Sequence, residues 1–453
     1  MRYHFIAIGG AVMHQLALHL LDSGHLVTGS DDAIFDPARQ NLERYGILPK
    51  SLGWYPRKIT NDIDAVILGM HAKADNPELI AAQSKGIKVY SFPEFIYAHS
   101  VDKIRIVVAG SNGKTTTTSM IMHQMRSAGY DFDYLVGSKI EGFDYMVKVT
   151  PTAKYIVIEG DEYLTSPLDL RSKFLHYKPH YAVITSIDWD HINVFPTFDS
   201  YLDTFRKFIA DVKEKLFYYE DDAVLKVLVE DSDSEAQKFP YVALPYSTKD
   251  SVPYVEFGGH QYPSSVFGRH NFANWSAALH ICKAIGISEQ SFYSHMETFS
   301  GAARRMEKVY GDSDRGIYVF RDFAHAPAKL RATVHAARDN FPNHTIIAVY
   351  ELHTFSSMQE DFIPQYRGAM DKSDVALVFM DENSFVQKGR KIIDTSLLIE
   401  HFGLQQLIVC TSKRNLEALL NIHIAPNTVF LLMSSGHLGG WDYSQLISAI
   451  PTI

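Results

Sequence analysis

The sequence predicts a three-domain α/β protein built on largely parallel sheets. Strand-like and helix-like segments alternate along the first hundred residues, and two later blocks continue this alternation. The length of 453 residues suits about three domains. We place the domains at residues 1–98, 99–302 and 303–453. A hydrophobic content of 46% with 21% charged residues is typical of a globular α/β protein.

Composition excludes several classes of function. A net charge of −9 argues against non-specific nucleic-acid binding, which needs a basic surface. The two cysteines, Cys282 and Cys410, are too far apart for a zinc or disulfide framework. The apolar N-terminus is interrupted by Gly9-Gly10 and by polar residues, so it reads as strand, turn and helix rather than as a signal peptide. We therefore expect a cytoplasmic protein with no nucleic-acid or membrane partner.

The N-terminal glycine turn indicates a nucleotide site. The strand-like segment "HFIAI" is followed by Gly9-Gly10 and an amphipathic run to Ser23, and the next strand-like segment ends at Asp31. Two glycines do not complete Gly-x-Gly-x-x-Gly, so this is a weak dinucleotide fingerprint. An acid at the end of the second strand is nevertheless where a ribose binds. A nucleotide diphosphate is expected here in preference to NAD.

The segment "VVAGSNGKTTTT" (residues 107–118) has the features of a phosphate loop. A β-branched strand ends at Gly110, and Gly113 opens a helix, so backbone N–H groups and a helix N-terminus face the same point. Lys114 would supply positive charge for terminal phosphates, and the Thr115 hydroxyl would bind Mg²⁺. The alternative is an ordinary strand–turn–helix capped by Ser111 or Asn112. Two glycines, a lysine and four threonines at one strand end favour the phosphate loop.

Two further strand-like segments of the second block end in polar residues. These are Glu159, Asp161 and Glu162 in "IEGDEY", and Asp188, Asp190 and His191 in "SIDWDH". Because ligands of open α/β sheets collect at the carboxyl ends of strands, three such ends imply one crevice. Carboxylates there would bind Mg²⁺ beside a phosphate loop. The alternatives are a solvated acidic turn and a structural histidine.

Two later segments carry candidate ligands for a nucleotide. Asn271 and Asn274 lie near a predicted helix start, where either would serve as an N-cap or pair with an adenine edge; the chemistry alone favours the cap. In the third block, Arg305 of the Arg304-Arg305 pair would stabilise a transferring phosphoryl group, unless the pair forms a solvated face. Asp322, at a strand end, would accept from ribose hydroxyls.

Together these motifs resemble the Mur ligase family, the ATP-dependent amide-forming enzymes of bacterial cell-wall precursor synthesis. The resemblance covers all three blocks through "AGSNGKTTTT", "EGDEY", "WDH", "GRHNFANWSAA", "RRME" and "RDFAHAP". It implies a Rossmann-like UDP-binding N-terminal domain, a central P-loop ATPase-like domain and a Rossmann-like C-terminal domain. It also implies ATP and Mg²⁺ as cofactors.

The resemblance assigns site residues one by one. Catalytic roles fall to Lys114, His191 and Arg305. ATP contacts fall to Gly110, Ser111, Asn112, Gly113, Lys114, Thr115, Thr116, Asn271, Asn274, Arg305 and Asp322. UDP contacts fall to Gly9, Gly10, Ala11, Ser30 and Asp31. Magnesium ligands are Thr115, Glu159 and His191.

The N-terminal segment resembles the members that use UDP-N-acetylmuramate. "EGDEYLTSPLDLRSKFLHYKPHYAVI", "YELHTFSSM" and "MSSGHLGGW" look more like the recycling member, which adds the intact tripeptide L-Ala-γ-D-Glu-meso-diaminopimelate, than like the member that adds L-alanine. We therefore expect a monomeric or homodimeric ligase that couples the murein tripeptide through an acyl phosphate. The alternative is addition of L-alanine. A nucleotide sensor without turnover and a nicotinamide oxidoreductase are the rivals from other classes.

The sequence departs from the family pattern at three positions. Arg321 stands where the first Asp of an Asp-Asp pair is usual, and Ala326 replaces the second His of a His-His pair. Arg206 stands where some members carry a carbamylated lysine, so we expect no such modification. The first two departures leave Asp322 and His325 in place, but the family's substrate contacts are not carried over to Arg321 and Ala326.

Overall fold

The computed structural model describes residues 1–451, which form two compact units. The first unit comprises residues 1–189, 194–242 and 276–292. The second comprises residues 190–193 and 243–275 and the chain from Tyr293 onward. Both units are mixed α/β, as the sequence predicts. The domain boundaries at 98/99 and 302/303 stay predictions.

The strands and helices are numbered here in chain order. The strands are β1 (Arg2–Ile6), β2 (Leu26–Ser30), β3 (Ala65–Leu68), β4 (Lys88–Ser91), β5 (Ile104–Ala109), β6 (Phe132–Leu135), β7 (Val147–Lys148), β8 (Tyr155–Glu159), β9 (Leu164–Ser166), β10 (Asp169–Ser172), β11 (Tyr181–Ile184), β12 (Lys215–Tyr219), β13 (Gln237–Tyr241), β14 (Ser247–Lys249), β15 (Val252–Phe257), β16 (His260–Pro263), β17 (Glu307–Asp312), β18 (Ile317–Asp322), β19 (Thr345–Glu351), β20 (Val375–Phe379), β21 (Ile408–Cys410) and β22 (Thr428–Met433). The α-helices are α1 (Ala11–Asp22), α2 (Ala38–Arg44), α3 (Pro77–Ser84), α4 (Phe92–Ala98), α5 (Lys114–Ser127), α6 (Phe198–Ala210), α7 (Ala223–Glu230), α8 (Arg269–Ala284), α9 (Glu289–Met296), α10 (Pro327–Asn340), α11 (Glu382–Gln387), α12 (Thr395–Phe402), α13 (Lys413–Asn421) and α14 (Ser444–Ala449). Short 3₁₀ helices cover Pro56–Lys58, Lys173–His176, Glu360–Tyr366 and Leu438–Gly440.

The N-terminal sheet of the first unit is parallel, with strand order β2-β1-β3-β4. Its central strand β1 pairs with both neighbours, so that Phe5 lies opposite Gly29 on one side and Ile67 on the other. Strand β3 reads Ala-Val-Ile-Leu and is buried throughout, as expected for a parallel strand covered on both faces. Helix α1 begins directly after the glycine turn and buries one apolar face.

The second sheet of this unit has the strand order β13-β12-β11-β5-β8-β6-β7 and is parallel except for β7. Strand β5, which leads into the phosphate loop, lies between β8 and β11. Ala109 is opposite Ile184, and Val108 is opposite Glu159. Parallel neighbours end at the same sheet edge, so the three polar strand ends predicted from the sequence are adjacent.

The second unit contains a six-stranded sheet in the order β17-β18-β22-β19-β20-β21. Only β17 runs antiparallel to its neighbour. Apolar residues are buried on both faces of this sheet, in separate clusters around Val378 and Leu377. A three-stranded antiparallel sheet, β14-β15-β16, completes the unit.

The strands expected from apolar runs are confirmed, whereas several short strands were not predicted. The β9–β10 hairpin and β14 contain few apolar residues, and β14 is exposed throughout. These strands are held by pairing with neighbouring strands and not by the burial of an apolar face, so no hydrophobic periodicity reveals them in the sequence. Among the described helices, none is long and apolar enough to cross a membrane.

Candidate active site

The loop between β5 and α5 has the backbone conformation of a phosphate cradle. Gly110 has φ +124°, and a Cβ placed there would lie 2.3 Å from Oγ1 of Thr185. Gly113 adopts a left-handed conformation, and no side chain caps the helix that follows it. Since α5 also has no acidic residue in its first turn, its N-terminal N–H groups and helix dipole favour an anion. The alternative interpretation, a helix capped by Ser111 or Asn112, is therefore not supported.

Ser111 and Asn112 instead tie the loop to the segment after β11. The Ser111 hydroxyl donates to the backbone carbonyl of Asp188 at 2.8 Å and lies 2.8 Å from the Tyr201 hydroxyl. The backbone N–H of Asn112 donates to Oγ of Ser186 at 3.1 Å. Ser111 is 3% exposed, and its backbone N–H donates to the Ser186 carbonyl at 2.9 Å, so this residue holds the shape of the loop.

Lys114 forms a buried ion pair with an acid that the sequence did not assign to it. Its Nζ atom lies 2.7 Å from Oε2 of Glu162, whose side chain is fully buried, and also contacts the Gly110 carbonyl. Burial alone would lower the pKa of Lys114, but three nearby carboxylates, led by Glu162, raise it. Lys114 is therefore a cation at the loop, as a phosphate site requires.

Two of the three predicted magnesium ligands are in direct contact. The Thr115 hydroxyl donates to Oε1 of Glu159 at 2.8 Å, and the backbone N–H of Gly137 donates to Oε2 at 2.7 Å. A hydroxyl and a carboxylate are the hard oxygen ligands that suit Mg²⁺. Asp161, two residues further on, is engaged elsewhere because Lys173 binds it at 2.6 Å.

The third predicted ligand, His191, belongs to the second unit. It has φ +56°, and its backbone N–H donates to Oδ1 of Asp190 at 2.8 Å. Oδ2 of Asp190 accepts from Nζ of Lys329 at 3.1 Å and lies 4.0 Å from Nε2 of His325. Burial opposes ionisation, but the positive charge of Lys329 and the neighbouring imidazole groups of His191 and His325 hold the pKa of Asp190 well below its usual range.

His325 is a neutral imidazole with a defined tautomer. Nδ1 lies 2.9 Å from the carbonyl oxygen of Phe323, which can only accept, so Nδ1 carries the proton and Nε2 is an acceptor. Burial and Lys329 lower the pKa of His325 to about 3, although Asp190 opposes the shift. The sequence reasoning missed Lys329; its place four residues after His325, in the first turn of α10, was the available signal.

Asp322 organises the turn that carries the arginine pair. Its carboxylate accepts from the backbone N–H groups of Met306 at 2.7 Å and Ala324 at 2.8 Å. The guanidinium of Arg305 lies over the Phe323 ring, 4.6 Å from its centroid. Arg305 and Asp322, both predicted ATP contacts, thus lie on one short stretch of the second unit.

Asn271 and Asn274 lie within α8, which begins at Arg269, so the N-cap interpretation of these residues is wrong. Both are buried, and the amide of Asn271 donates to the Phe267 carbonyl four residues earlier at 2.8 Å. The sequence misplaced the helix start because Gly268, with φ +90°, ends the preceding segment.

The predicted UDP residues cluster at the start of α1, except that the side chain of Ser30 is turned toward another residue. The Asp31 carboxylate accepts a hydrogen bond from the backbone N–H of Gly9 at 2.7 Å. Gly10 occupies the N-cap position of α1, and no side chain caps this helix. Burial raises the pKa of Asp31, although the Gly9 N–H opposes the shift. Ser30 is fully buried, and its hydroxyl donates to Glu78 at 2.7 Å. No sequence motif pointed to Glu78.

Three family models match consecutive parts of the chain. They are described as Mur ligase family, catalytic domain (residues 2–102), Mur ligase middle domain (residues 108–282) and Mur ligase, glutamate ligase domain (residues 304–436). A curated relative, UDP-N-acetylmuramate–L-alanine ligase of Streptococcus pneumoniae (strain ATCC 700669 / Spain 23F-1), is 29% identical over 98% of this chain and 96% of its own length.

Solved structures with the same fold include both types of ligase. UDP-N-acetylmuramate–alanine ligase of Thermotoga maritima matches with a TM-score of 0.73 and 21% identity, over 99% of this chain and 98% of that one. A murein peptide ligase of Psychrobacter arcticus matches with a TM-score of 0.67 and 22% identity, over 100% and 99% of the two chains. The corresponding tripeptide ligase of Neisseria meningitidis is 25% identical with a TM-score of 0.57, over 66% of this chain and 98% of that one.

Proposed function

Because the chain belongs to the Mur ligase family of ATP-dependent amide ligases in peptidoglycan synthesis, we propose that it joins UDP-N-acetylmuramate to an amine. The observation that carries the proposal is the arrangement at the end of β5. Lys114 is the first residue of α5, a helix whose N-terminus has no side-chain cap. Thr115, in the same turn, contacts Glu159 at 2.8 Å. Phosphate-binding and metal-binding groups therefore lie side by side.

The proposed reaction has two steps. The lactyl carboxylate of UDP-N-acetylmuramate attacks the γ-phosphorus of ATP, so an acyl phosphate forms and ADP leaves. The neutral amine of the second substrate then attacks the acyl carbon, the C–O bond to phosphate breaks, and inorganic phosphate departs. Lys114 and Arg305 stabilise the charge that moves during phosphoryl transfer. Thr115 and Glu159 would hold Mg²⁺, which would neutralise phosphate charge when bound, and His191 stays a predicted third ligand.

We assign the UDP group to the start of α1. Gly10 and Ala11 offer backbone N–H groups at a helix N-terminus, and Gly9, whose N–H donates to Asp31, completes the turn. Asp31 offers a carboxylate for a ribose hydroxyl. Ser30 lies behind them with its hydroxyl on Glu78. Asn271, Asn274 and Asp322 are assigned to the adenosine part of ATP. A cytoplasmic location and a monomeric or homodimeric state stay predictions.

Two amines are candidates for the second substrate. The name of the full-length curated relative supports L-alanine, and this is the better supported candidate. The segments around Tyr163, His353 and His437, together with the likeness to two murein peptide ligases, support the tripeptide L-Ala-γ-D-Glu-meso-diaminopimelate.

The deciding experiment supplies UDP-N-acetylmuramate, MgATP and equal concentrations of the two amines, and identifies the products by mass. Phosphate release that requires all three substrates supports the ligase, and kcat/KM for each amine identifies the preferred one. ATP binding without phosphate release under any amine would instead indicate a nucleotide sensor. Binding of NAD rather than UDP-N-acetylmuramate would favour an oxidoreductase.

A further inference from the structure

A cavity of about 330 Å³ lies in the second unit, at the carboxyl ends of β18 and β22. The segment that follows β22 forms most of its wall. Its lining includes Arg304, Arg321, Ser434, His437, Trp441 and Tyr443. This volume is within the range of about 300–1,000 Å³ that is usual for small-molecule sites, so the cavity is large enough for part of a substrate.

Arg304 is held at the cavity by the main chain. One terminal nitrogen of its guanidinium donates to the carbonyl oxygens of Ser434 at 2.7 Å and Gly436 at 2.6 Å. Burial and then the neighbouring charges of Arg321 and Arg305 lower the pKa of Arg304. The positive charges of three arginines thus lie near one another, and a bound anion would reduce the repulsion between them.

Arg321 has donors to spare. Its nearest carboxylate is Glu307, with a nitrogen-to-oxygen distance of 3.9 Å, and its guanidinium lies over the Tyr443 ring at 4.5 Å from the centroid. No hydrogen bond from this guanidinium to another group is found within residues 1–451. A guanidinium has five N–H donors in a planar fork that matches a carboxylate, and stacking on Tyr443 fixes the plane of that fork.

The acids that line the cavity are already engaged. Asp322 accepts from two backbone N–H groups and, at 3.1 Å, from the hydroxyl of Thr333. Asp442 accepts from the backbone N–H and the hydroxyl of Ser444. The cations therefore have unused hydrogen-bonding capacity and the acids have little, so the cavity selects for an anion.

We infer that this cavity binds a carboxylate of the amine substrate, with Arg321 as its bidentate partner. The inference rests on the proposed function, in which each of the three substrates carries at least one anionic group. The phosphate loop and the glycine turn before α1, assigned to ATP and the UDP group, both belong to the first unit. In the second unit, Arg305 and Asp322 are assigned to ATP, whereas Arg321 has no assigned ligand, and both candidate amines carry a free carboxylate that its guanidinium would match. Arg321 occupies the position where the family pattern has an acid, so this contact is particular to this chain.

The test changes both sides of the proposed contact. Steady-state kinetics are measured for the full-length wild type, Arg321→Gln and Arg321→Lys, with L-alanine, the tripeptide and their carboxamide forms. Arg321→Gln is expected to raise KM for the preferred amine at least tenfold, while KM for ATP and for UDP-N-acetylmuramate stays within twofold. Arg321→Lys should recover part of the loss, because it restores the charge without the fork.

The carboxamide series identifies the contact itself. Amidation of the carboxylate that Arg321 binds should reduce kcat/KM in the wild type and cause no further loss in Arg321→Gln. Arg331→Gln, an exposed arginine on α10, is the matched control and should behave as the wild type does. Thermal unfolding establishes that each variant is folded.

Two results would overturn the inference. The first is a folded Arg321→Gln variant with unchanged kinetics for the amine, or one in which the loss caused by amidation adds to the loss caused by the substitution. Either outcome would show that the cavity does not bind the carboxylate, and the proposed ligase function would stand. If the wild type couples neither amine, the proposed function and this inference are both wrong.

Discussion

The ammonium group of Lys114 lies 2.7 Å from a carboxylate oxygen of Glu162, which is completely buried. The first residue of the phosphate-loop helix is therefore paired with an acid 48 positions away along the chain. A phosphate that enters the loop would meet a lysine that is already charged and oriented. This pairing determines what a mutation at either position does to stability as well as to catalysis.

Lys114→Ala should reduce phosphate release at least about tenfold, because a positioned charge on a transferring phosphoryl group is worth at least that much. It should also lower the free energy of unfolding by about 3–5 kcal/mol, because the buried carboxylate of Glu162 loses the ammonium group that pairs with it. Kinetics and urea denaturation measure the two effects.

The double variant Lys114→Ala/Glu162→Gln separates the two roles of the lysine. Its stability should recover relative to Lys114→Ala, since the buried charge is gone, while phosphate release stays low. Recovery of turnover along with stability would show that Lys114 is structural only.

Gly110→Ala should abolish ATP-dependent turnover and destabilise the protein by more than about 2 kcal/mol. Its Cβ would lie 2.3 Å from Oγ1 of Thr185 and 2.9 Å from the backbone N of Ser186, so the loop must shift. Gly129→Ala is the matched control: φ is +75° there, but a Cβ meets nothing within 4 Å. That control should cost only about 1–2 kcal/mol of backbone strain and keep its activity.

Glu159→Gln should raise the Mg²⁺ concentration needed for half-maximal turnover at least about tenfold, because it removes the anionic ligand beside Thr115. Asp161→Asn serves as the control. It lies two residues away, but its carboxylate is bound to Lys173, so Mg²⁺ dependence should not change. Equal shifts in both variants would argue against a specific metal site at Glu159.

His325 predicts a loss of stability in mild acid. Its pKa is lowered from 6.5 to about 3 in the folded chain. Below pH 6.5 the imidazole is therefore protonated in the unfolded state while it stays neutral in the folded state. The stability contribution is complete above pH 6.5 and is lost as the pH falls toward 3. Between pH 7 and pH 5 this loss is about 2 kcal/mol.

The variant His325→Gln should lose about 2 kcal/mol less than the wild type when urea denaturation at pH 7 and pH 5 is compared. His260→Gln, at an exposed position of β16, controls for the removal of any imidazole. An identical pH dependence in the wild type and His325→Gln would mean that this imidazole is not protected from protonation.

The sequence predicted the sheet strands and the phosphate loop well because both depend on local patterns. The runs at β5, β8, β11 and β22 are mostly apolar and buried, and the two glycines of the loop adopt backbone angles that other residues rarely do. Where the pattern was weak, the prediction failed: the start of α8 was misplaced, and the strands with few apolar residues were missed.

The sequence by itself determined the fold class, the family and the chemistry at the end of β5, because spacing within a few residues sets a turn and a helix start. Only the tertiary structure decided which distant charges meet. Asp190 contacts Lys329, 139 residues further along the chain, and Lys114 contacts Glu162. A charge has no sequence period that reveals its partner, and its pKa depends on burial and neighbours that exist only once the strands have paired.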